Sequence, residues 1–291
     1  MSPLKDKLAD LLTPSELKTF FKGFDIVGDI AIIKAPNAFE DKAKNIAKII
    51  MESHRNVRTV LRQASPISGD LRLRKLEWVC GKDKTETIHR EYGCLFKVDL
   101  AKCYFSPRLS YEHMRVARQV KPGEVIVNMF AGVGGFSIVI AKYVEVKKVY
   151  SIDINPAAVQ CMRINADLNK VKDVMEPIEG DAKEVIISKL KGVADRVLMP
   201  LPEKAYEYLD YALMALKPEG GIIHYYAFEH AKKDEDPIKK VIEKVSRKLS
   251  SLSVEFEILF ARIVRSVGPR WYQVVLDIFV KTTLKNEALS S

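Results

Sequence analysis

An α/β fold with a doubly wound parallel sheet, preceded by a smaller α+β unit, is what this sequence predicts. Three observations carry the prediction: a strand–glycine–helix turn at 125–140, an acidic residue closing the next strand, and alternation of strand and helix from Val125 onward. Val125-Ile126-Val127 is an apolar, β-branched run that reads as a buried strand. It enters a loop with glycines at 132, 134 and 135 and leaves it in an apolar helix from Phe136. Glycine there lets the backbone come close to a ligand. The following strand, VYSID, ends in Asp153, 21 residues after Gly132. At that spacing a carboxylate can accept both hydroxyls of a ribose.

The loop also sorts candidate cofactors. AGVGGF is GxGG, not the GxGxxG that seats a pyrophosphate on a helix N-terminus, and the chain has no GxxxxGK[ST] loop. A cofactor with ribose and adenine but no phosphate fits better, which favours S-adenosylmethionine; NAD is the alternative. Strands are predicted at 125–129, 148–153, 174–178, 194–199 and 221–227, and helices at 136–143, 156–168, 183–190, 203–215 and 236–249. Two last strands, 254–265 and 271–281, have no helix between them. A terminal antiparallel hairpin on a parallel sheet is the arrangement of class I methyltransferases and counts against an NAD dehydrogenase.

The first hundred residues read differently. Two short amphipathic helices open the chain, with Thr13-Pro14 as N-cap and first position of the second. FDIVGDIAIIKA reads as a hairpin around Gly28-Asp29, and 39–53 has helical periodicity. Strands are expected at 57–62, 71–79, 85–89 and 95–98, so the α+β unit spans 1–100 and the Rossmann-like domain 101–291. The segment CYFSPRLSYEHMR joins the two and starts a helix after Pro107.

The net charge of +9 points to a polyanionic partner. Residues 1–104 hold 19 Lys+Arg against 14 Asp+Glu, a denser excess than the remaining 28 against 24. Arg55, Arg58, Arg62, Arg72, Arg74 and Lys75 crowd together there, as an RNA-binding face or a merely solvated one. No apolar run approaches the roughly 20 residues of a membrane span, and the charged N-terminus lacks a signal-peptide core. Cys80, Cys94, Cys103 and Cys161 form no CxxC pair and no metal spacing. They read as buried thiols of a reducing cytoplasm, with no metal site and no membrane partner expected.

In such sheets ligands lie at the carboxyl ends of the strands. Those ends are Phe130 to Gly134, Asp153-Ile154, Asp181 of EGDA, and Met199-Pro200-Leu201-Pro202. Asp181 is placed to accept from an adenine amino group or to cap the following helix, and the two roles are compatible. MPLP falls where many adenine-directed methyltransferases carry NPPY. Pro200 offers no side-chain hydrogen bond, which disfavours amino-group methylation of adenine.

The ordered segments LRLRKLEWVCG, IHREYG, YFSPRLSYE, NMFAGVGGFSI, SIDINP, LNKV, GDAKEV, ADRVLMPLP and GGIIHYY resemble the archaeal tRNA guanine-37 N1-methyltransferases, from about Phe24 to the C-terminus. The resemblance implies methyl transfer from S-adenosylmethionine to N1 of the guanine 3′ of the anticodon, by a monomer acting on the anticodon arm of tRNA. It implies catalytic roles for Arg72 (guanine binding), Glu112 (general base) and Arg108. It implies cofactor-binding roles for Tyr104, Arg108, Phe130, Gly132, Gly134, Asp153, Ile154, Asp181 and Pro200.

The catalytic roles make chemical sense. Guanine N1 carries a proton, and its removal puts charge on O6, so a base and a cation near O6 are needed. On the residues alone, Glu112 also reads as an exposed first-turn helix glutamate and Arg72 as a phosphate contact. Three departures from the family pattern stand out. Pro200 replaces the usual Asn of NLP, as in a subgroup some of whose members also methylate the wyosine intermediate 4-demethylwyosine. Asn128 replaces the acidic residue that often ends the first strand. The family's small elbow-binding N-terminal domain is expected to have no counterpart, because the homologous sequence starts almost at once. The alternatives are an aminocarboxypropyl transferase of wyosine synthesis on the same scaffold, and an RNA-binding protein with a degenerate pocket. The intact Gly132, Gly134 and Asp153 set argues against the second.

Overall fold

The structure, a computed structural model, describes residues 3–22, 24–34 and 42–282. It opens with α1 (Pro3–Ala9) and α2 (Pro14–Lys22). Thr13 caps α2 through a reciprocal box: its Oγ1 accepts from the Glu16 amide at 3.4 Å, and the Glu16 carboxylate accepts from the Thr13 amide at 2.7 Å. The hairpin around Gly28-Asp29 forms as β1 (Phe24–Val27) and β2 (Ile30–Ile33). A crossover through α3 (Ala43–Ser53) makes β3 (Thr59–Gln63) parallel to β2, and β4 (Leu76–Gly81) adds antiparallel to β3. Of the helix expected from residue 39, positions 39–41 lie outside the described residues.

The strand expected over 71–79 starts only at Leu76. Leu71 to Lys75 instead belong to a turn in which Ser68 bridges Leu73 and the Arg72 amide donates to Gly69 O at 3.0 Å. Arg72 itself sits at φ 53°, outside strand geometry.

A separate hairpin, β5 (Glu86–Glu91) and β6 (Cys94–Asp99), follows. A 3₁₀ turn at Pro107–Leu109 leads into α4 (Ser110–Ala117). Then come β7 (Val125–Asn128), α5 (Gly135–Tyr143), β8 (Lys148–Asp153), α6 (Pro156–Leu168), β9 (Met175–Glu179), α7 (Ala182–Val185) and β10 (Arg196–Met199). The chain closes with α8 (Leu209–Ala215), β11 (Gly221–His230), α9 (Pro237–Ser251), β12 (Glu255–Gly268) and β13 (Trp271–Thr282). The helix expected over 183–190 is a short α7 followed by a π turn, and that expected over 203–215 is shortened to α8.

The large sheet has the order β12-β13-β11-β10-β7-β8-β9. It is parallel from β11 to β9, and β13 inserts antiparallel between β11 and β12. The strand order reverses between β7 and β10, which opens a crevice at their carboxyl ends. Apolar cores fill both faces, one centred on Ile126, Ile138 and Val149 and the other on Val197, Leu209 and Val245. Buried amides fix the β5–β6 hairpin to this domain: Asn165 of α6 and Asn169 at its C-cap each exchange two hydrogen bonds, of 2.6–3.0 Å, with the backbone of Lys97 and Leu95, respectively. Among the described residues no helix is long and apolar enough to cross a membrane, and no His/Cys/Asp/Glu group could hold a metal. Cys94, Cys103 and Cys161 are buried free thiols, whereas Cys80 is only half-buried.

Candidate cofactor and base site

The crevice holds a cavity of about 220 Å³. Its walls include Phe130 and Gly132 after β7, Asp153 and Ile154 after β8, Asp181 after β9, and Pro200 and Leu201 after β10. The turn carrying Arg72 and the loop carrying Tyr104 complete it. Eight of the residues singled out from the sequence thus share one cavity: Arg72, Tyr104, Phe130, Gly132, Asp153, Ile154, Asp181 and Pro200.

Asp153 organises the glycine loop. Its Oδ2 accepts from the Gly132 amide at 2.7 Å and its Oδ1 from the Asn155 amide at 2.9 Å. Gly132 at φ 57° and Gly134 at φ 96° make the turn. Gly134 is not part of the wall. A Cβ there would press on Ile138, Met162 and Met175 at 3.1–3.3 Å, so packing and turn geometry call for glycine at this position. Asn128 is fully buried and engaged inward: its amide donates to Ser137 Oγ at 3.1 Å, and Ser137 accepts in turn from Ser151 at 2.8 Å.

Burial pushes the Asp153 carboxyl up, against the lowering effect of the two amide donors. The protonated form is therefore favoured at a pH above that of an exposed Asp. On acidification through that range the ligand-free fold gains stability from this group, while an acceptor for a ribose hydroxyl is lost. The expected result is cofactor affinity that starts to decline above the usual carboxylate range, with Asp153→Asn flattening the profile. Calorimetric titration across pH checks it.

Asp181 caps α7, its Oδ1 accepting from the Lys183 amide at 2.7 Å. Its Oδ2 accepts from Tyr208 OH at 2.7 Å, and burial together with this carboxylate pushes the phenol up. The Tyr208 ring meets Phe130 edge-on at 5.3 Å, and both line the cavity as an aromatic wall.

Arg72 enters from the N-terminal unit. Its guanidinium lies 4.4 Å from the Tyr104 ring centroid and 5.8 Å from that of Phe228. Nη1 donates to Glu203 at 3.2 Å, and the buried Nε has no partner. Arg265 holds Tyr104 by donating to its hydroxyl at 3.2 Å and to Ser106 Oγ at 2.9 Å.

Arg108 is not brought to the cavity. Its Nε donates to Asp25 at 2.7 Å and its Nη2 to Phe24 O, so it pins the turn before α4 to β1. Glu112 is outside the cavity wall too, and it is not the exposed first-turn glutamate that the sequence allowed, being 1% exposed. One oxygen accepts from Arg115 Nε at 2.7 Å and from Tyr226 OH at 2.9 Å; the other accepts from Arg262. Behind it Arg115 forks onto Asp277 at 2.5 and 3.1 Å, and His224 Nδ1 meets the same carboxylate at 2.6 Å. Arg196 can only donate, so its 2.8 Å contact makes His224 Nε2 an acceptor and leaves the proton on Nδ1. Burial alone would raise Asp277, but His224 and Arg115 hold it well below the usual carboxylate range.

Sequence reasoning missed Arg115, Arg262, Arg265, Asp277 and Tyr208. The signal for two of them was visible: ILFARIVR sets two arginines in an otherwise apolar stretch.

The strand order, the terminal hairpin and a cavity at the carboxyl ends of the central strands define a class I methyltransferase fold. A family model described as the TRM5/TYW2 methyltransferase domain matches residues 87–257, and one described as the TYW2 N-terminal domain matches 4–85. The chain belongs to the TRM5/TYW2 methyltransferase family. It is 42% identical over 268 residues to the tRNA (guanine(37)-N(1))-methyltransferase Trm5b of Pyrococcus abyssi, covering 92% of this chain and 78% of that protein. It is 41% identical over 259 residues to the tRNA 4-demethylwyosine(37)-methyltransferase Taw21 of Saccharolobus solfataricus, covering 89% of this chain and 94% of that protein. Among solved structures, the complex of aTrm5 with tRNALeu superposes with a TM-score of 0.82 at 33% identity, covering 95% of this chain and 78% of that one. Methanocaldococcus jannaschii TYW2 in complex with AdoMet superposes with a TM-score of 0.67 at 30% identity, covering 89% and 99%.

Proposed function

We propose that this protein methylates N1 of guanine at position 37 of tRNA, with S-adenosylmethionine as donor. The observation that carries the reading is Arg72: a cation from the N-terminal unit, stacked on Tyr104, stands in the wall of the cavity that also holds Asp153 and Asp181. The donor set suits the cofactor. Asp153 accepts from ribose hydroxyls, Asp181 from the adenine amine, and Phe130, Ile154 and Pro200 supply apolar walls. When bound, S-adenosylmethionine supplies a methyl group on an electron-poor sulfur.

The chain's own residues do the rest. Arg72 donates to guanine O6 as charge develops there, and Glu112 takes the N1 proton. The reading is supported by 42% identity to Trm5b and by the superposition on a tRNA-bound relative. Its test is methyl transfer to an unmodified tRNA transcript beside one carrying adenine at position 37. Label should enter the first alone; equal labelling would overturn the assignment.

The N-terminal residues 1–100 supply tRNA affinity, through fewer cations than the sequence cluster contains. Arg62 is paired with Glu77 at 2.6 Å, Lys75 with the same carboxylate at 3.2 Å, and Arg72 with Glu203. Arg55 and Arg58 are exposed and lack an acidic partner among the described residues. Removing either should make the slope of log K against log salt shallower by about one for each phosphate left without its cation. An unchanged slope in both variants would move the RNA-binding surface elsewhere. The monomeric state and cytoplasmic location belong to this same reading.

A second activity is favoured by the 41% identity to Taw21 and by Pro200 in the cavity wall. An Asn amide there would have to be satisfied, and a base lacking the matching edge would strand it at a cost of about 1–3 kcal/mol. Proline makes no such demand. Methyl transfer to tRNA carrying 4-demethylwyosine is therefore expected in addition to guanine methylation. A mass spectrum showing no second methyl, with full activity on guanine, would make Pro200 a neutral replacement.

A further inference from the structure

The Oε2 oxygen of Glu112 accepts from Arg262 of the edge strand β12. Bulges between Ile258 and Phe260 and between Ile263 and Arg265 interrupt the alternation of this strand. Ile258 packs into the core beneath α9, whereas Phe260 lies over the Arg115 guanidinium at 5.0 Å and Arg262 reaches Glu112 of α4. The Tyr111 ring covers the Arg262 guanidinium at 4.8 Å and is itself 59% exposed.

The two arginines that share Glu112 are not equivalent. Arg115 has a side chain 9% exposed and is forked onto Asp277, which fixes it. Arg262 has a side chain 29% exposed and a buried Nε without a partner, so most of its five donors are unspent. An exposed aromatic ring stacked on a part-used guanidinium, with exposed Phe260 beside it, is a platform for a base and its phosphate. Substituting a phosphate for the carboxylate keeps Arg262 paired and leaves Glu112 its bonds to Arg115 and Tyr226, so the exchange strands no charge.

We propose that Tyr111 and Arg262 form an RNA-contact site: Tyr111 stacks a nucleotide flanking the target base, and the adjoining phosphate draws Arg262 off Glu112. Tyr111 and Arg262 are then both binding groups and the device that opens Glu112 only when RNA is seated. The inference rests on the proposed action on tRNA.

The test uses the full chain and an unmodified tRNA transcript, with binding measured over a range of salt. Tyr111→Leu, a change at an exposed position, should weaken binding by about tenfold. Glu112→Gln removes the ion pair that RNA must displace and should tighten binding by about fivefold or more. The double variant Glu112→Gln/Arg262→Gln should lose that gain, with a salt slope shallower by about one, while Arg262→Lys should keep the slope. Wild-type affinity and slope in Tyr111→Leu, Glu112→Gln and the double variant, while the wild-type chain methylates the transcript, would overturn this inference alone. A wild-type chain that neither binds nor methylates tRNA would overturn the function and the inference together.

Discussion

Glu112→Gln is expected to lower single-turnover methyl transfer by roughly 10²-fold or more, the usual contribution of a positioned base. The amide is close in size and keeps an oxygen for Arg115 and Tyr226, so the packing around α4 survives. Arg115 stays neutralised by Asp277. What is lost is a group able to take the N1 proton. Without that transfer, N1 remains a poor nucleophile, and no arrangement of donors at O6 compensates, because Arg72 stabilises a charge that the proton's departure creates. Arg72→Lys should therefore also slow the step: it keeps the charge but loses the planar fork stacked on Tyr104. Rapid-quench methylation with saturating cofactor separates the step from binding. A Glu112→Gln enzyme that keeps its rate and loses tRNA affinity would make Glu112 a structural residue.

Asp153→Ala should weaken S-adenosylmethionine binding by the worth of a charge-assisted hydrogen bond, about 1.5–3 kcal/mol, or about tenfold to 150-fold in Kd. Two effects act in the same direction. The ribose hydroxyls lose their acceptor, and the amides of Gly132 and Asn155, which donate to this carboxylate at 2.7 and 2.9 Å, lose theirs. The second effect loosens the glycine turn itself, so Asp153→Asn, which keeps one acceptor oxygen, should lie between the two. Calorimetric titration reads both variants, and affinity unchanged in Asp153→Ala would place the ribose elsewhere.

Much of the fold was legible because local pattern and tertiary structure agree in the catalytic domain. The strand expected at 148–153 is Lys148–Asp153, the helix expected at 156–168 is Pro156–Leu168, and the final hairpin forms as expected. Each of these segments carries its own periodicity, cap or turn. The departures lie where distant residues decide the local geometry. Arg72 leaves the strand because its turn is held by the Ser68–Leu73 bridge and by ion pairs to Glu203 and from Asp70 to Lys204. Residues 203–208 leave the helix while Lys204 and Tyr208 line the cavity. Glu112, polar and in a first helical turn, reads as solvated; what buries it arrives 150 residues later as Arg262 on β12. Arg108 sits in a recognisable segment, yet its partner Asp25 lies 83 residues earlier. Residue identity points to groups able to carry chemistry, whereas their partners are set by long-range packing that spacing does not encode.

Methylation of guanine 37 is tested by mass analysis of that nucleotide after incubating the protein with S-adenosylmethionine and unmodified tRNA. A single added methyl on guanine N1 is expected, absent when cofactor is omitted and strongly reduced with Glu112→Gln. An aminocarboxypropyl adduct at that nucleotide, or an unaltered guanine from a protein that binds both cofactor and tRNA, would contradict it.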